Sequence, residues 1–236
     1  MQRILRGILM KRSSNHSSAK GGSIVKLNYN KTALLVIDMQ EGFLNPQSPT
    51  YIPMAWDTVP ACAAVQKKAR ELGIPVYFII RKYAPDGTDV EFTRYFAWKE
   101  GGKPCSTSES PIGWEMPKEF AVLEGDTVLV KPRYSAFFHT NLDSILRRKG
   151  IDTVVVTGTT TPNCIRHTVF DSISLDYNTV VLDDCTSSVN EEVQRVNMLG
   201  MQTIGAVIAN AADFIEETID LPVTIDMVRA DIAKGV

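Results

Sequence analysis

Three side chains of complementary chemistry stand at the ends of apolar runs in this chain. An acid, Asp38, follows "ALLVI"; an amine, Lys131, closes "TVLVK"; and a thiol, Cys164, lies in "GTTTPNC" after "TVVVT". A thiol becomes a strong nucleophile when it loses its proton, and an ammonium nearby favours that loss. Together they would perform nucleophilic catalysis at a carbonyl. Each alone has a plainer reading: a strand-end Asp is a turn residue, a Lys is a solvated charge, and a Cys is a small apolar filler. Their shared placement at the carboxyl ends of strand-like runs, where open α/β sheets bind ligands, gives the set more weight than any member. The expectation is that they leave neighbouring strands and meet in one pocket.

The elements that must hold them alternate along the chain. Strand-like runs lie at 33–37, 76–80, 127–131, 153–157, 179–183 and 203–208. They are nearly continuous in aliphatic and β-branched residues, which suits strands buried on both faces of a parallel sheet. Helical periodicity occupies about 58–72, 140–149, 162–176 and 190–200. Gly73 and Gly150 follow two of these helices where a terminating glycine is expected, and Thr140 with Asp143 forms a capping-box-like start. Repeated strand–helix–strand units imply right-handed crossovers with helices on both faces. The predicted fold is α/β: a three-layer, doubly wound α/β/α domain over 24–236 with a mainly parallel, six-stranded, Rossmann-like sheet. The segment 81–126 is rich in Pro, Gly, aromatics and charge and is too long for an ordinary connection. It reads as an insertion serving as a lid or binding loop, the alternative being surface decoration.

Local sequence sets the expectation for Cys164. Pro162 suits the first turn of a helix and Thr161 the N-cap, which puts Cys164 in the first helical turn. There the helix dipole and free N–H groups would favour a thiolate and hold an oxyanion. A reactive thiol is the better reading than a packed one.

Composition narrows the remaining classes. The net charge of −2 across 236 residues suggests neither nucleic acid nor an anionic membrane as a partner, and no apolar run reaches bilayer length. Cys62, Cys105, Cys164 and Cys185 form no CxxC pair, and His16, His139 and His167 fit no zinc spacing. A reducing, cytoplasmic setting is expected. Residues 1–23 carry five basic residues and no acid. They read as a disordered arm outside the fold, with a mitochondrial transit peptide or vector-derived sequence as alternatives.

The motifs "ALLVIDMQEGF", "KPRYSAF" and "GTTTPNCIRHTVFDSISLDYNTVVLDDC" resemble the isochorismatase-like cysteine hydrolases, over about residues 30 to 215. That superfamily includes nicotinamidases, N-carbamoylsarcosine amidases, ureidoacrylate amidases and biuret or triuret hydrolases. The resemblance implies a triad of Cys164 as nucleophile, Asp38 as proton shuttle and Lys131 as the charge that orients the site. It also implies a cis peptide at Thr159–Thr160 and an oxyanion hole from the N–H groups of Thr160 and Cys164. A homodimer or homotetramer is expected on the same ground. Nicotinamidases share a metal-binding DxH…H segment after the second strand; here that place reads "IIRKYAPDGTD", without histidine. No metal and no cofactor are therefore expected, and nicotinamide is disfavoured. Isochorismatase itself lacks a catalytic cysteine, so Cys164 argues against vinyl ether hydrolysis.

What remains is hydrolysis of an amide, ureido or carbamoyl C–N bond in a small molecule. The rival class is a redox-sensitive thiol or an oligomeric binding protein on the same fold; a sensor would need the cation but no proton shuttle. For substrate contacts, Arg81, Lys82, Arg133 and Arg166 are candidate clamps for a carboxylate or ureido oxygen, against the plainer reading of solvated charges. Phe43, Tyr134 and Phe137 are candidate pocket walls, with simple packing as the alternative. His139 and His167 are candidate acid–base residues, with a helix-surface role the better reading of His167; Cys62 reads as core, Cys105 as loop, and Cys185 as a residue at the end of strand 179–183 that nothing activates.

Overall fold

The computed structural model describes residues 24–100 and 113–235. The basic arm at 1–23 and Cys105 lie outside the described residues. Six parallel strands form the central sheet: β1 (Thr32–Ile37), β2 (Val76–Arg81), β3 (Thr127–Lys131), β4 (Thr153–Thr159), β5 (Asn178–Ser187) and β6 (Val207–Ala209). Their spatial order is β3-β2-β1-β4-β5-β6. The order reverses between β1 and β4, the switch point at which such sheets open a crevice for ligand.

Alternation along β1 shows how the sheet makes two cores. Leu34 and Val36 face a layer holding α1 (Val59–Glu71), with Val65, Ala69 and Phe78 in the same cluster. Ala33, Leu35 and Ile37 face the other layer, with Leu146 of α2 (Leu142–Arg148), Val169 of α3 (Arg166–Ser174) and Met198 of α4 (Glu191–Thr203). Because both faces are covered, the central strands carry no polar side. After β6, α5 (Ala211–Ile215) starts with a capping box between Asn210 and Asp213 and returns Phe214 to the α1 layer. The segment beyond it pairs Asp220–Leu221 antiparallel with Val25–Lys26 and ends in α6 (Ile225–Ile232).

Several expectations need correction. β3 is an edge strand whose Val128 and Val130 are exposed at 43% and 50%, so its apolar run is not buried on both faces. The last strand begins at Val207, not 203, because α4 continues to Thr203 and Gly205 (φ 108) then turns the chain. α2 starts at Leu142 without a side-chain cap. Thr140 Oγ1 accepts from Leu142 N at 3.3 Å, while Asp143 pairs with Arg147 at 2.9 Å instead of closing a capping box. Cys185 lies inside β5, which is ten residues long and runs past the expected strand end at 183.

Candidate active site

Asp38 directly follows β1 at the switch point. Its φ of 52° is in the left-handed region, uncommon for a residue with a Cβ, and its N–H is held by Ile79 O at 2.8 Å. Lys131 ends β3. Contrary to expectation that strand is not next to β1, since β2 lies between them and Arg81 is the register partner of Lys131. Two strand spacings amount to about 10 Å, and only a long side chain closes such a gap. Lys131 does so: its Nζ lies 2.9 Å from Asp38 Oδ2, 3.4 Å from Cys164 Sγ and 3.3 Å from Arg133 O. Asp38 and Lys131 are wholly buried, and Cys164 is 3% exposed.

Cys164 is presented by a turn that departs from an ordinary helix start. The peptide bond Thr159–Thr160 is cis. Residues Thr161–Ile165 form one π turn, closed by Ile165 N to Thr160 O at 3.3 Å, before α3 begins. Thr161 is not the N-cap: its hydroxyl donates within the protein interior, lying 2.7 Å from Gln194 Oε1 and 3.0 Å from Ser187 O, and Thr160 takes the cap position. The approach of β4 to β1 fixes Gly158. It has φ 114°, and a Cβ there would stand 2.0 Å from Ile37 O. No other residue fits that crossing.

The electrostatic balance at Cys164 runs against the expected favouring of a thiolate. Burial, then the Asp38 carboxylate, push its pKa up to about 11, while Lys131 and Arg81 pull it down less strongly. The two cations do not outweigh desolvation.

Above the thiol lies a cavity of about 230 Å³. Its walls are apolar and aromatic, from Phe43, Ile52, Tyr51, Tyr83 and Tyr134, and Arg81, Arg94, Thr160 and Asn163 add polar groups. Phe43, Arg81 and Tyr134 are thus where the sequence suggested. Arg133 is not: its guanidinium binds Asp89 O at 2.7 Å and Pro132 O at 2.6 Å, stapling the insertion. Phe137 stacks on Tyr177 (5.6 Å between centroids), and Arg166 reaches Asn197 and the Phe170 ring on the flank of α3. Lys82 covers the Trp114 ring at 3.9 Å. His167 lies on the surface of α3, its Nδ1 2.8 Å from Asn163 O.

Several wall residues had no mark in the sequence reading, among them Tyr51, Tyr83, Arg94 and Asn163. Tyr83 and Arg94 belong to the insertion, whose aromatic and basic content was the only available signal. Its first three acids are already engaged. Asp86 accepts from Thr88, Asp89 accepts from Ala84 N, and Glu91 pairs with Arg81 and accepts from Tyr83 Oη at 3.0 Å. Among the described residues no three His, Cys, Asp or Glu side chains gather as a metal site would require.

Gln40, two residues after Asp38, ties these parts together. Its Nε2 donates to Arg81 O and to Trp114 O, both at 2.9 Å, and its Oε1 accepts from Arg81 N at 2.8 Å. Glu41 N and Gly42 N donate to Glu115 O and Gly113 O.

Known proteins resemble this chain in sequence and fold. The family model for the Isochorismatase domain matches residues 32–213. A protein of Arabidopsis thaliana named "Probable inactive nicotinamidase" is 37% identical over 191 residues, covering 80% of this chain and 97% of the relative. The ureidoacrylate amidohydrolase RutB of Azorhizobium caulinodans is 28% identical over 211 residues, covering 81% and 92%. The crystal structure of an isochorismatase family protein from Desulfovibrio vulgaris is 38% identical, covers 79% of this chain and 97% of that one, and superposes with a TM-score of 0.75. With a family match over most of its length and the sheet order and site geometry above, this chain belongs to the isochorismatase family of hydrolases.

Proposed function

We propose that the protein is a cysteine amidohydrolase that cleaves a C–N bond of a small amide, ureido or carbamoyl compound through a covalent acyl-enzyme. The observation that carries this is the contact chain Asp38–Lys131–Cys164, buried beneath the cavity, with the ammonium 2.9 Å from the acid and 3.4 Å from the sulfur. The similarity to an amidohydrolase relative supports the reaction class. Another relative is named inactive as a nicotinamidase, but this chain keeps an acid, an amine and a thiol in contact.

The electrostatics shape the mechanism. With its pKa at about 11 the thiol does not attack as a standing thiolate. Asp38 removes its proton as sulfur adds to the substrate carbonyl carbon, giving a tetrahedral oxyanion. The N–H groups of Thr160 and Cys164 receive that oxygen; Thr160 N has no acceptor among the described residues. Protonated Asp38 then delivers the proton to the leaving nitrogen, the C–N bond breaks, and ammonia or an amine departs from a thioester. A water molecule gives its proton to Asp38 and attacks the thioester, and collapse releases the acid and the thiol, which regains the proton. Lys131 keeps its charge throughout and offsets whichever of Asp38 and the sulfur is negative.

A peroxide sensor fits less well, because it needs a cation beside the thiol but no acid to move a proton, and here Asp38 sits against Lys131 at 2.9 Å. The test is ammonia release from nicotinamide, N-carbamoyl amino acids, biuret, triuret and ureidoacrylate, with intact-mass detection of an adduct on Cys164. Release that persists in Cys164→Ala, or hydrolysis with no dependence on Asp38, would overturn the reading.

A further inference from the structure

We infer that the substrate carries a carboxylate remote from its scissile carbonyl and that Arg94, with the Tyr134 hydroxyl, binds it. This rests on the amidohydrolase reading above and names its substrate class.

The argument is a charge count over the cavity wall and floor. Asp38 and Lys131 neutralise each other, and so do Arg81 and Glu91. That leaves Arg94 as the wall cation with no carboxylate within ion-pair distance among the described residues. Among the described residues its one side-chain hydrogen bond is to Tyr134 Oη at 3.0 Å, where the phenol accepts and its own proton is free to donate. The guanidinium also lies over the Tyr134 ring, 5.6 Å from the centroid, which fixes its plane. A half-buried guanidinium and a phenolic O–H on one wall make a pair of donors suited to a planar anion.

Two further polar atoms on the wall lack partners. Arg81, 4% exposed, has a buried Nε without an acceptor, and Thr160, 8% exposed, has a buried Oγ1 without a partner. Such atoms normally find a partner. They belong to residues on the same wall as Cys164, so they suit the polar amide or ureido end of the same molecule. The cavity holds roughly eight waters at ~30 Å³ each, which limits the ligand to a few carbons between its two ends. N-carbamoyl amino acids and monoamides of short dicarboxylic acids meet all these conditions; an uncharged diamide of equal size leaves Arg94 unanswered.

The probes are N-carbamoylglycine and its uncharged primary amide, N-carbamoylglycinamide. Binding is measured by calorimetry to Cys164→Ala protein, so turnover is not required, and circular dichroism of each variant verifies folding. The acid should bind at least tenfold more tightly than the amide, and the ratio should collapse toward one in Cys164→Ala/Arg94→Gln, with partial recovery in Cys164→Ala/Arg94→Lys. In the wild-type background Arg94→Gln should raise KM for an acid substrate far more than it lowers kcat. Equal affinity for both probes, binding of neither, or a preference for the acid that survives Arg94→Gln would overturn the inference. Loss of the amidohydrolase reading looks different: ammonia release would be absent or independent of Cys164 whatever the binding ratio.

Discussion

Lys131 crosses the end of an intervening strand to place its ammonium against Asp38 at 2.9 Å, with both side chains wholly removed from solvent. A buried ion pair is weak evidence for stability in itself, but breaking one strands the other charge. Lys131→Met should therefore cost about 3–5 kcal/mol of unfolding free energy and abolish turnover. The double variant Asp38→Asn/Lys131→Met should be less destabilised than Lys131→Met alone, although equally inactive. Urea unfolding of the four members of the cycle measures this; a double variant less stable than either single one contradicts it.

Removing the sulfur should stop catalysis without unfolding the protein. Cys164→Ala and Cys164→Ser should each lower kcat/KM by at least about a thousandfold, as expected when a nucleophile acts as part of a unit. Far-UV dichroism should stay unchanged. Steady-state assay of purified variants and intact-mass analysis of trapped intermediates provide the readout.

The raised thiol pKa gives a pH signature. A folded-state pKa of about 11 lies above the ordinary 9.0, so protonated Cys164 contributes stability that is full below pH 9 and is lost as pH rises through 11. Wild-type stability should fall across that window more steeply than that of Cys164→Ala. Asp38 is the second-largest cause of the shift. Asp38→Asn should thus make the thiol more acidic, speeding alkylation by iodoacetamide at pH 8 while eliminating hydrolysis. Slower alkylation in that variant would count against the assigned electrostatics.

Gly158→Ala should be among the most damaging single changes. The added methyl meets Ile37 O at 2.0 Å, and φ 114° is strained for alanine. A loss beyond about 3 kcal/mol is expected, read as a large fall in Tm or failure to accumulate as soluble protein. A mild effect would mean that β1 and β4 separate more easily than their register implies.

Exhaustive chelation should leave the rate unchanged once a substrate is in hand. The first three acids after β2 are engaged by Thr88, Ala84, Tyr83 and Arg81, and Lys131 supplies positive charge beside the sulfur. Activity lost to chelator and restored by zinc would point to a site of another kind.

The sequence made the sheet legible because β1, β2, β4 and β5 are buried on both faces and write that into nearly unbroken aliphatic runs. The same rule misread β3, since an edge strand can be aliphatic and still expose Val128 and Val130. Asp38, Lys131 and Cys164 could be found because each sits at a strand end or in the first turn after one, where position along the chain implies position in space. Arg133, Phe137 and Arg166 failed as pocket residues because being near a motif in sequence does not say which way a side chain points. Arg94 and Tyr83 were missed for the converse reason: the path of the insertion is set by Gln40, Glu91 and Arg133 contacts that no local pattern encodes.

The Gln40 clamp has an evolutionary consequence. One side chain beside Asp38 holds the end of β2, where the insertion departs, and Trp114 further along it. The stretch between these two points is therefore anchored beside Asp38, and it supplies Arg94 to the wall. Such a loop is an exchangeable cassette: its interior can be rewritten to accept a different molecule while the bond-breaking apparatus below stays in place. A family on this plan is expected to diversify its substrates between fixed anchor points sooner than its chemistry.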